Sequence, residues 1–380
     1  MPHPASAPAH STRRNPLSTG SAHVPPSLLP ELVEGALRDF FVSRAEIVAA
    51  VGGGYPEAVT ALESFVLRGG KRMRPVFAWT GWIGAGGDPS GPDAGAVLRA
   101  CSALELVQAG ALVHDDIIDA STTRRGYPTV HVEYAEHHRA AQWLGVPERF
   151  GEAAAILLGD LALVWADDML REAGLDAATA ARVTPVWSAM RTEVLGGQFL
   201  DIAGESAGDE SVEAAMRVNR FKTAAYTIER PLHLGAVLAG ADDALVDAYR
   251  RFGTDVGIAF QLRDDLLGVF GDPEVTGKPS GDDLRAGKRT VLFALALAAA
   301  DATDPAAAQL LRDGIGTDLS DEQVERMRAV MTELGAVDQV ERRIAALTED
   351  AFAALDASDA TDQGKTMLRD WALAATRRTA

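Results

Sequence analysis

Apolar residues recur at helical spacing from Glu31 almost to the end of the chain, and no segment alternates as a half-buried strand would. Glycine clusters and a Gly-Asp-Pro turn divide this pattern into separate helices, as at 52–54, 69–70 and 271–273. Such helices bury their apolar faces by packing against one another. The sequence therefore predicts one all-α domain over residues 31–380. Two prolines within the helical pattern should kink or split their helices, Pro185 and Pro231.

Composition limits the class of protein. Residues 1–30 are polar and rich in proline, so we expect a disordered N-terminal tail. The single cysteine, Cys101, excludes an intrachain disulfide and fits a reducing compartment. A net charge of −18 argues against a nucleic-acid surface, which would be basic. We find no apolar run near the roughly 18 residues of a membrane span and no signal peptide, so we expect a soluble, cytoplasmic protein.

A helix that is apolar nearly all round ends in three carboxylates, Asp115, Asp116 and Asp119. Asp115 and Asp119 are four residues apart and therefore share one helical face. Carboxylates at that spacing suit Mg²⁺, which completes its coordination with water and substrate phosphate. Arg124 and Arg125 follow closely and supply planar, bidentate partners for phosphate oxygens. This combination predicts a metal–diphosphate site.

A second acidic helix end lies far downstream at Asp264 and Asp265. It also follows an apolar stretch, and the loop beyond it contains Lys278 and Lys288. Two acidic helix ends with cations beyond them can face each other across a cavity and hold several Mg²⁺ between them. Taken alone, each acidic run has a plainer interpretation as a charged patch that caps a core helix.

Two further segments carry cations. Residues 69–75 read Gly-Gly-Lys-Arg-Met-Arg-Pro, in which the glycines allow close approach to a ligand and Lys71 and Arg74 can clamp phosphate. Lys222 and Thr223 add an ammonium and a hydroxyl on another apolar helix. The plainer alternatives are an ordinary loop with exposed cations and a lysine that reaches solvent along an apolar surface.

In this order and spacing, the segments resemble the trans-isoprenyl diphosphate synthases, the polyprenyl synthetase family. The matching segments are GGKRMRP, DDIID with RRG, FKT, and FQLRDD with GK and GKR, and the resemblance extends from about residue 35 to 375. The chain is especially similar to actinobacterial geranylgeranyl diphosphate synthases between Phe260 and Val291. The resemblance implies a single-domain isoprenoid synthase bundle around a central active-site cavity, three Mg²⁺ per active site and a homodimer.

Carried over position by position, the resemblance assigns metal binding to the acidic motifs. Asp115 and Asp119 would ligate Mg²⁺ with Asp116 in support, and Asp264 would bind the third ion. Together with Asp265 and Lys222, these residues form the catalytic set that the resemblance implies.

The resemblance also assigns the substrate contacts. Lys71 and Arg74 match the clamp for isopentenyl diphosphate, and Gln108 stands where relatives have His or Gln. Arg124 would hold the diphosphate of the allylic substrate, and Arg125 that of isopentenyl diphosphate. Five further positions match residues that contact the allylic diphosphate or close over it: Lys222, Thr223, Gln261, Lys278 and Lys288.

One departure concerns the second acidic motif, which in the family usually reads DDxxD. Here Asp264 and Asp265 are followed by two leucines and Gly268, so the fifth position has no carboxylate. Asp272 belongs to the Gly-Asp-Pro turn and cannot replace a ligand on the same helical face. Because the direct ligand in the family is chiefly the first aspartate, we expect activity to survive.

The resemblance implies Mg²⁺-dependent, head-to-tail condensation of isopentenyl diphosphate with dimethylallyl, geranyl or farnesyl diphosphate. The product would be geranylgeranyl diphosphate or one of somewhat different length. A class I terpene cyclase is one alternative, but it would have an Asn/Asp-Ser-Glu metal motif and lack the isopentenyl clamp. A non-catalytic regulatory subunit is another, but such subunits usually lose the aspartates that this chain retains.

Product length can be argued from the helix that ends in the first acidic motif. Each turn rises about 5.4 Å, close to one isoprene unit. Counting back by turns, the residues facing the growing tail are Ala111 with Gly110, then Val107, then Leu104 or Ala103. Relatives that make farnesyl diphosphate have an aromatic residue near the first of these turns, whereas Gly110 and Ala111 are small. Leu104 is the first bulky candidate, so we expect elongation to stop near C20.

Overall fold

The computed structural model describes residues 28–272 and 281–377, and these ranges are helical except for their connections and one short two-stranded ribbon. The all-α prediction is confirmed. The first helix begins at Leu29, so residues 29–30 belong to it rather than to the predicted tail, and Pro30 lies in its first turn, where proline is well tolerated. Residues 1–27 and Lys278 lie outside the described residues.

The helices in chain order are α1 (Leu29–Val51), α2 (Tyr55–Leu67), α3 (Met73–Gly84), α4 (Ala94–Ile118), α5 (Val130–Ala140), α6 (Pro147–Arg171), α7 (Ala177–Ala207), α8 (Val212–Val218), a π-helix (Asn219–Glu229), α9 (Arg230–Ala239), α10 (Asp243–Phe270), α11 (Asp282–Arg285), α12 (Val291–Thr303), α13 (Pro305–Gly314), α14 (Asp321–Glu333), α15 (Ala336–Asp356) and α16 (Asp362–Thr376). Two strands, β1 (Thr123–Arg124) and β2 (Tyr127–Pro128), pair antiparallel between α4 and α5.

Helix α4 lies at the centre of the main hydrophobic core and packs against α1, α3 and α6. Its middle is buried on every side, and Cys101 is fully buried within it. By length and composition alone α4 could cross a membrane, since its most apolar 18-residue window has a mean hydropathy of 1.5. The expectation that no apolar run reaches that length is therefore wrong. Because 72% of the window is buried inside the fold, packing between helices accounts for its apolar character.

The two prolines behave differently from each other. Pro185 lies inside α7, which continues past it, so the predicted split does not occur there. Pro231 occupies the first turn of α9, where a missing backbone N–H costs little. The helical periodicity of residues 210–239 predicts one long helix, but the structure divides this segment into α8, the π-helix and α9.

The π-helix is enclosed by glycines of two neighbouring helices. A Cβ on Gly197 of α7 would lie 2.2 Å from the backbone nitrogen of Lys222. On α10, Gly253 and Gly257 approach its backbone almost as closely, and a Cβ on them would lie 2.5 Å and 2.6 Å from the nearest Cα atoms. The wider backbone of a π-helix fits here because these positions have no side chain.

A buried ion pair also joins the two ends of the π-helix. Glu229, in its last turn, is almost fully buried and contacts the guanidinium of Arg220, in its first turn. The Nε of Arg250 on α10 donates to the other carboxylate oxygen of Glu229 at 3.1 Å. The segment that presents Lys222 and Thr223 is therefore fixed both by close packing and by charge.

Candidate active site

A cavity of about 640 Å³, called here the charged cavity, lies between the C-terminal end of α4, α7, the π-helix, α10 and the segment after α10. Eight of the predicted site residues line it: Lys71, Asp115, Lys222, Thr223, Gln261, Asp264, Asp265 and Lys288. The two acidic motifs are about 150 residues apart in sequence, and the fold brings both to one cavity.

The first acidic motif is neutralised by cations from other segments. Arg124 Nε donates to Asp116 Oδ1 at 2.8 Å, and Arg124 Nη2 donates to Asp115 Oδ2 at 3.2 Å. Lys222 Nζ lies 3.1 Å from Asp115 Oδ1, and Lys288 Nζ lies 3.6 Å from Asp119 Oδ2. Cations predicted to hold a diphosphate thus already lie against the carboxylates predicted to hold a metal.

These contacts set the charges of the motif. Burial acts to raise the pKa of Asp115, but the charges of Lys222 and Arg124 outweigh it and hold that pKa below its usual range. The pKa values of Asp116 and Asp119 are raised, chiefly by burial. Crowded, partly buried carboxylates of this kind favour binding of an added cation.

Asp201 on α7 was not predicted from the sequence. Its Oδ2 accepts from Lys222 Nζ at 2.5 Å, so the lysine bridges Asp201 and Asp115. Glu205, one turn further along the same face, also lines the charged cavity, and its pKa is raised by burial and by Asp201. The i, i+4 spacing of Asp201 and Glu205 was the available signal, but α7 has charged residues along much of its length.

The second acidic motif is held by a chain of hydrogen bonds. Thr223 Oγ1 donates to Gln261 Oε1 at 2.7 Å, and Gln261 Nε2 donates to Asp265 Oδ1 at 2.8 Å. Burial raises the pKa of Asp265 to about 7, with contributions from the Asp283 and Asp264 carboxylates. Asp265 is 2% exposed, whereas Asp264 is only partly buried, so Asp264 is the more accessible ligand.

Of the predicted isopentenyl clamp, Lys71 lines the charged cavity, whereas Arg74 lies against the π-helix. Arg74 Nη2 donates to Thr227 Oγ1 at 2.8 Å, and its guanidinium lies 4.0 Å from the ring centroid of Tyr226. The Tyr226 hydroxyl donates to Gln108 Oε1 at 2.8 Å. Arg74 and Gln108 are therefore brought together through one tyrosine of the π-helix, although neither lines the charged cavity.

Arg125 packs against the glycine turn that precedes Lys71. Arg125 Nη1 donates to the Gly69 carbonyl at 3.0 Å, and a Cβ on Gly70 would lie 3.2 Å from the same nitrogen. Gly70 has a φ of +114°, a conformation that favours glycine. The turn thus requires glycine for its backbone and for the approach of the arginine.

Arg72, between the two predicted clamp residues, is a positioning residue that the sequence did not reveal. It is 3% exposed and has a φ of +49°, unusual for a residue with a side chain. Its Nη1 donates to Glu105 Oε2 on α4 at 2.7 Å and to the Val66 carbonyl at 2.8 Å. The buried pair fixes the turn that carries Lys71 and Arg74 against the central helix.

An apolar cavity of about 430 Å³ opens beside the first motif and shares Asp115, Lys222 and Thr223 with the charged cavity. Ala111 and Val107 line it, as expected of residues that face a growing tail. Its other apolar walls come from α4, α6, α7 and the π-helix: Leu112, Ile117, Ile118, Ile156, Leu163, Val194, Leu195 and Tyr226.

Two of the predicted chain-length residues lie elsewhere. Gly110 faces α6, where a Cβ would lie 2.7 Å from Leu163 Cγ and 2.9 Å from the Gly159 carbonyl oxygen. Its small size therefore serves helix packing. Leu104 is 1% exposed within the main core and is not among the residues that line the apolar cavity. Counting turns along α4 could not reveal that α6 covers Gly110, because the packing of the neighbouring helices is not a local property of the sequence.

The donor set fits Mg²⁺. Among the described residues, no three His, Cys, Asp or Glu side chains form a ready-made cage for a metal. Mg²⁺ takes one or two carboxylates from a protein and completes its coordination with water and substrate phosphate, and Asp115 and Asp119 offer two carboxylates at the end of α4. Within the same part of the chain, the buried Oδ2 of Asp116 has no hydrogen-bond partner, so the motif has acceptor capacity to spare.

Comparison with known proteins identifies the same family that the motifs resemble. The family model for polyprenyl synthetase matches residues 56–334. A geranylfarnesyl diphosphate synthase from Aeropyrum pernix is 36% identical over 278 residues, which are 72% of this chain and 79% of that protein.

Solved structures agree. A geranylgeranyl pyrophosphate synthase from Corynebacterium glutamicum, crystallised with isoprenyl diphosphate and magnesium, is 50% identical with a TM-score of 0.90; the match covers 94% of this chain and all of that chain. A geranylgeranyl pyrophosphate synthetase from Pyrococcus horikoshii is 27% identical with a TM-score of 0.77, over 93% of this chain and 98% of that one. The family resemblance of the motifs is confirmed, and the chain belongs to the polyprenyl synthetase family.

Proposed function

We propose that the protein is a prenyltransferase that condenses isopentenyl diphosphate head to tail with an allylic diphosphate, and that its main product is geranylgeranyl diphosphate. The observation that carries the proposal is one cavity with two acidic motifs and several cations, opening into an apolar cavity at Asp115. The charged part suits diphosphates with metal, and the apolar part suits a prenyl tail. Relatives named as geranylgeranyl diphosphate synthases support the same activity.

In this proposal Asp115, Asp119 and Asp264 would hold Mg²⁺, with three ions per active site. When bound, the ions neutralise the negative charge that develops on the departing diphosphate. Among the protein's own residues, Lys222 and Lys288 already lie beside the first motif, where they can pair with the same diphosphate. Cations that are already in place need little reorganisation as the charge develops.

The second substrate would be held by the turn at residues 69–75. Lys71, Arg74 and Arg125 bind the diphosphate of isopentenyl diphosphate and aim its double bond at the allylic carbon. The allylic C–O bond breaks, the new C–C bond forms from the double bond, and the proton lost afterwards passes to the released diphosphate. The walls of the apolar cavity keep water away from the allylic cation.

We further propose that the protein acts as a cytoplasmic homodimer. Large apolar side chains are exposed on the two helices that flank the apolar cavity: Leu157 and Val164 on α6, and Leu195 and Phe199 on α7. Such a patch is typical of a protein–protein interface. Light scattering should give about twice the chain mass of 40.1 kDa, and a monomer at assay concentrations would contradict the homodimer.

The test of the reaction is incubation with labelled isopentenyl diphosphate and dimethylallyl, geranyl or farnesyl diphosphate, with products separated by chain length. We expect label in a linear C20 diphosphate. Cyclic hydrocarbons formed without isopentenyl diphosphate would instead identify a terpene cyclase, and no incorporation with any primer would refute the proposal.

A further inference from the structure

The space beside Gly268 on α10 is occupied by a carboxylate from another segment. A Cβ built on Gly268 would lie 1.8 Å from Asp283 Oδ2 and 2.4 Å from Asp283 Cγ. Atoms cannot approach so closely, so a side chain at 268 and the present position of Asp283 exclude each other. The carboxylate fills the volume into which a residue at 268 would project.

Position 268 is the one at which the family usually has the last aspartate of its second motif. It lies one helical turn after Asp264, on the same face of α10. Asp264, Gly268 and Asp283 all line the charged cavity. Asp283 comes from the short helix α11, beyond the end of α10, and is 9% exposed. The missing carboxylate and the incoming one therefore occupy the same part of the wall.

We propose that Asp283 replaces the carboxylate that the second motif lacks, and that glycine is needed at 268 to make room for it. The inference rests on the proposed function, because it assigns Asp283 to the Mg²⁺ held with Asp264. It explains how a motif without its fifth residue retains a carboxylate in the same cavity wall, one turn of α10 from Asp264, which the pattern of α10 alone does not supply. Gly268 and Asp283 form one unit and should be exchangeable only together.

Asp283 also lies close to Lys288 along the chain, and the backbone nitrogen of Lys288 donates to the Asp283 carbonyl at 3.0 Å. A rival role for Asp283 is to hold Lys288 in place for the diphosphate. The two roles differ in what is lost when the carboxylate is removed. A metal ligand affects the binding of the ion, whereas a support for Lys288 affects diphosphate binding even without metal.

The test uses the full-length enzyme with inorganic pyrophosphate and Mn²⁺, which accepts the same carboxylate and water ligands as Mg²⁺. Electron paramagnetic resonance counts bound Mn²⁺, and calorimetry gives pyrophosphate affinity with metal and in EDTA. Asp283→Asn should lose one bound ion or weaken its binding by about tenfold or more. Its pyrophosphate affinity in EDTA should not change. Asp282→Asn is the matched control, since Asp282 is the neighbouring carboxylate and does not line the cavity; its ion count should stay at the wild-type value.

Substitutions at both positions test whether the Asp283 carboxylate occupies the space beside Gly268. Gly268→Ala alone should weaken metal binding, because its methyl group displaces the Asp283 carboxylate and supplies none in its place. Asp283→Gly alone should also weaken it. The double variant Gly268→Asp with Asp283→Gly, which returns the carboxylate to α10 and clears the space, should recover the lost ion.

Three outcomes would overturn the inference: Asp283→Asn with a normal ion count and affinity, an effect seen only as weaker pyrophosphate binding in EDTA, or a double variant no better than Asp283→Gly. The proposed function fails separately, if the wild-type enzyme does not condense isopentenyl diphosphate.

Discussion

Because Ala111 lines the apolar cavity, we expect a substitution there to change product length. Its methyl group lines that cavity one turn of α4 before Asp115, and Val107 lines it one turn deeper. In Ala111→Phe, the ring projects into the cavity just below the metal site, and the part of the tail beyond it loses its place. We expect the main product to change from geranylgeranyl to farnesyl diphosphate.

The size of the effect follows from the apolar contacts that are lost. An isoprene unit has five carbons, and burial of each is worth about 0.8 kcal/mol, so exclusion of one unit costs about 4 kcal/mol at most. That corresponds to nearly three orders of magnitude in the rate of the step that needs the space. The kcat/KM for farnesyl diphosphate as primer should fall by up to this factor, while that for dimethylallyl diphosphate should change little.

The adjacent residue provides a matched control. In Gly110→Ala, the new Cβ would lie 2.7 Å from Leu163 Cγ and 2.9 Å from the Gly159 carbonyl oxygen, on the side of α6. We expect its stability to urea to fall by about 1–3 kcal/mol from overpacking. Its main product should change less than that of Ala111→Phe, because the new methyl group reaches the cavity only through Leu163. If Ala111→Phe makes the same products as the wild type, the cavity has been assigned to the wrong face of α4.

Three further predictions concern charge. Asp115→Ala and Asp119→Ala should each lower turnover by orders of magnitude, and EDTA should abolish it, because the leaving diphosphate loses its charge partners; near-normal turnover in either variant would contradict the metal site. Lys71→Ala should chiefly raise the KM for isopentenyl diphosphate and Lys222→Ala should act on the allylic side, so steady-state kinetics with each substrate varied in turn would expose a wrong assignment. Burial, together with two neighbouring guanidinium groups, lowers the pKa of His233 to about 4 from an ordinary 6.5. As pH falls, His233 is therefore protonated at a higher pH in the unfolded chain than in the folded one. Stability should therefore be lost between about pH 6.5 and 4, and urea unfolding of His233→Gln should show a weaker dependence in that window; an unchanged dependence would assign the loss to other groups.

Much of the fold and site followed from the sequence, for physical reasons. Helical periodicity is a local property, so the all-α fold and the apolar helix that ends in the first acidic motif could be predicted. Motifs with several charges in a fixed spacing can also be recognised in the sequence, as Asp115 and Asp119 can. Contacts between distant segments cannot be recognised in this way. The role of Asp201 depends on α7 placing it beside Lys222, and the role of Gly110 depends on α6 packing against it.

Unusual backbone conformations also could not be predicted from the sequence. Nothing in the order of residues 219–229 distinguishes a π-helix from the α-helix predicted there, because the difference lies in how the neighbours pack. Arg72 lies between the two predicted clamp residues, and its sequence context does not distinguish it from them. Its left-handed backbone and its buried partner Glu105 depend on α4 passing behind the turn.

The glycines around the π-helix bear on how enzymes of this design can be altered. Gly197, Gly253 and Gly257 have no side chain to offer a ligand, yet a Cβ at any of them would lie within 2.6 Å of the π-helix backbone. A random library selected for new products should therefore accept changes in the lining of the apolar cavity far more readily than any change at these three positions. Residues that line the cavity can therefore be substituted, whereas the three glycines fix the backbone positions of the active site and must be retained.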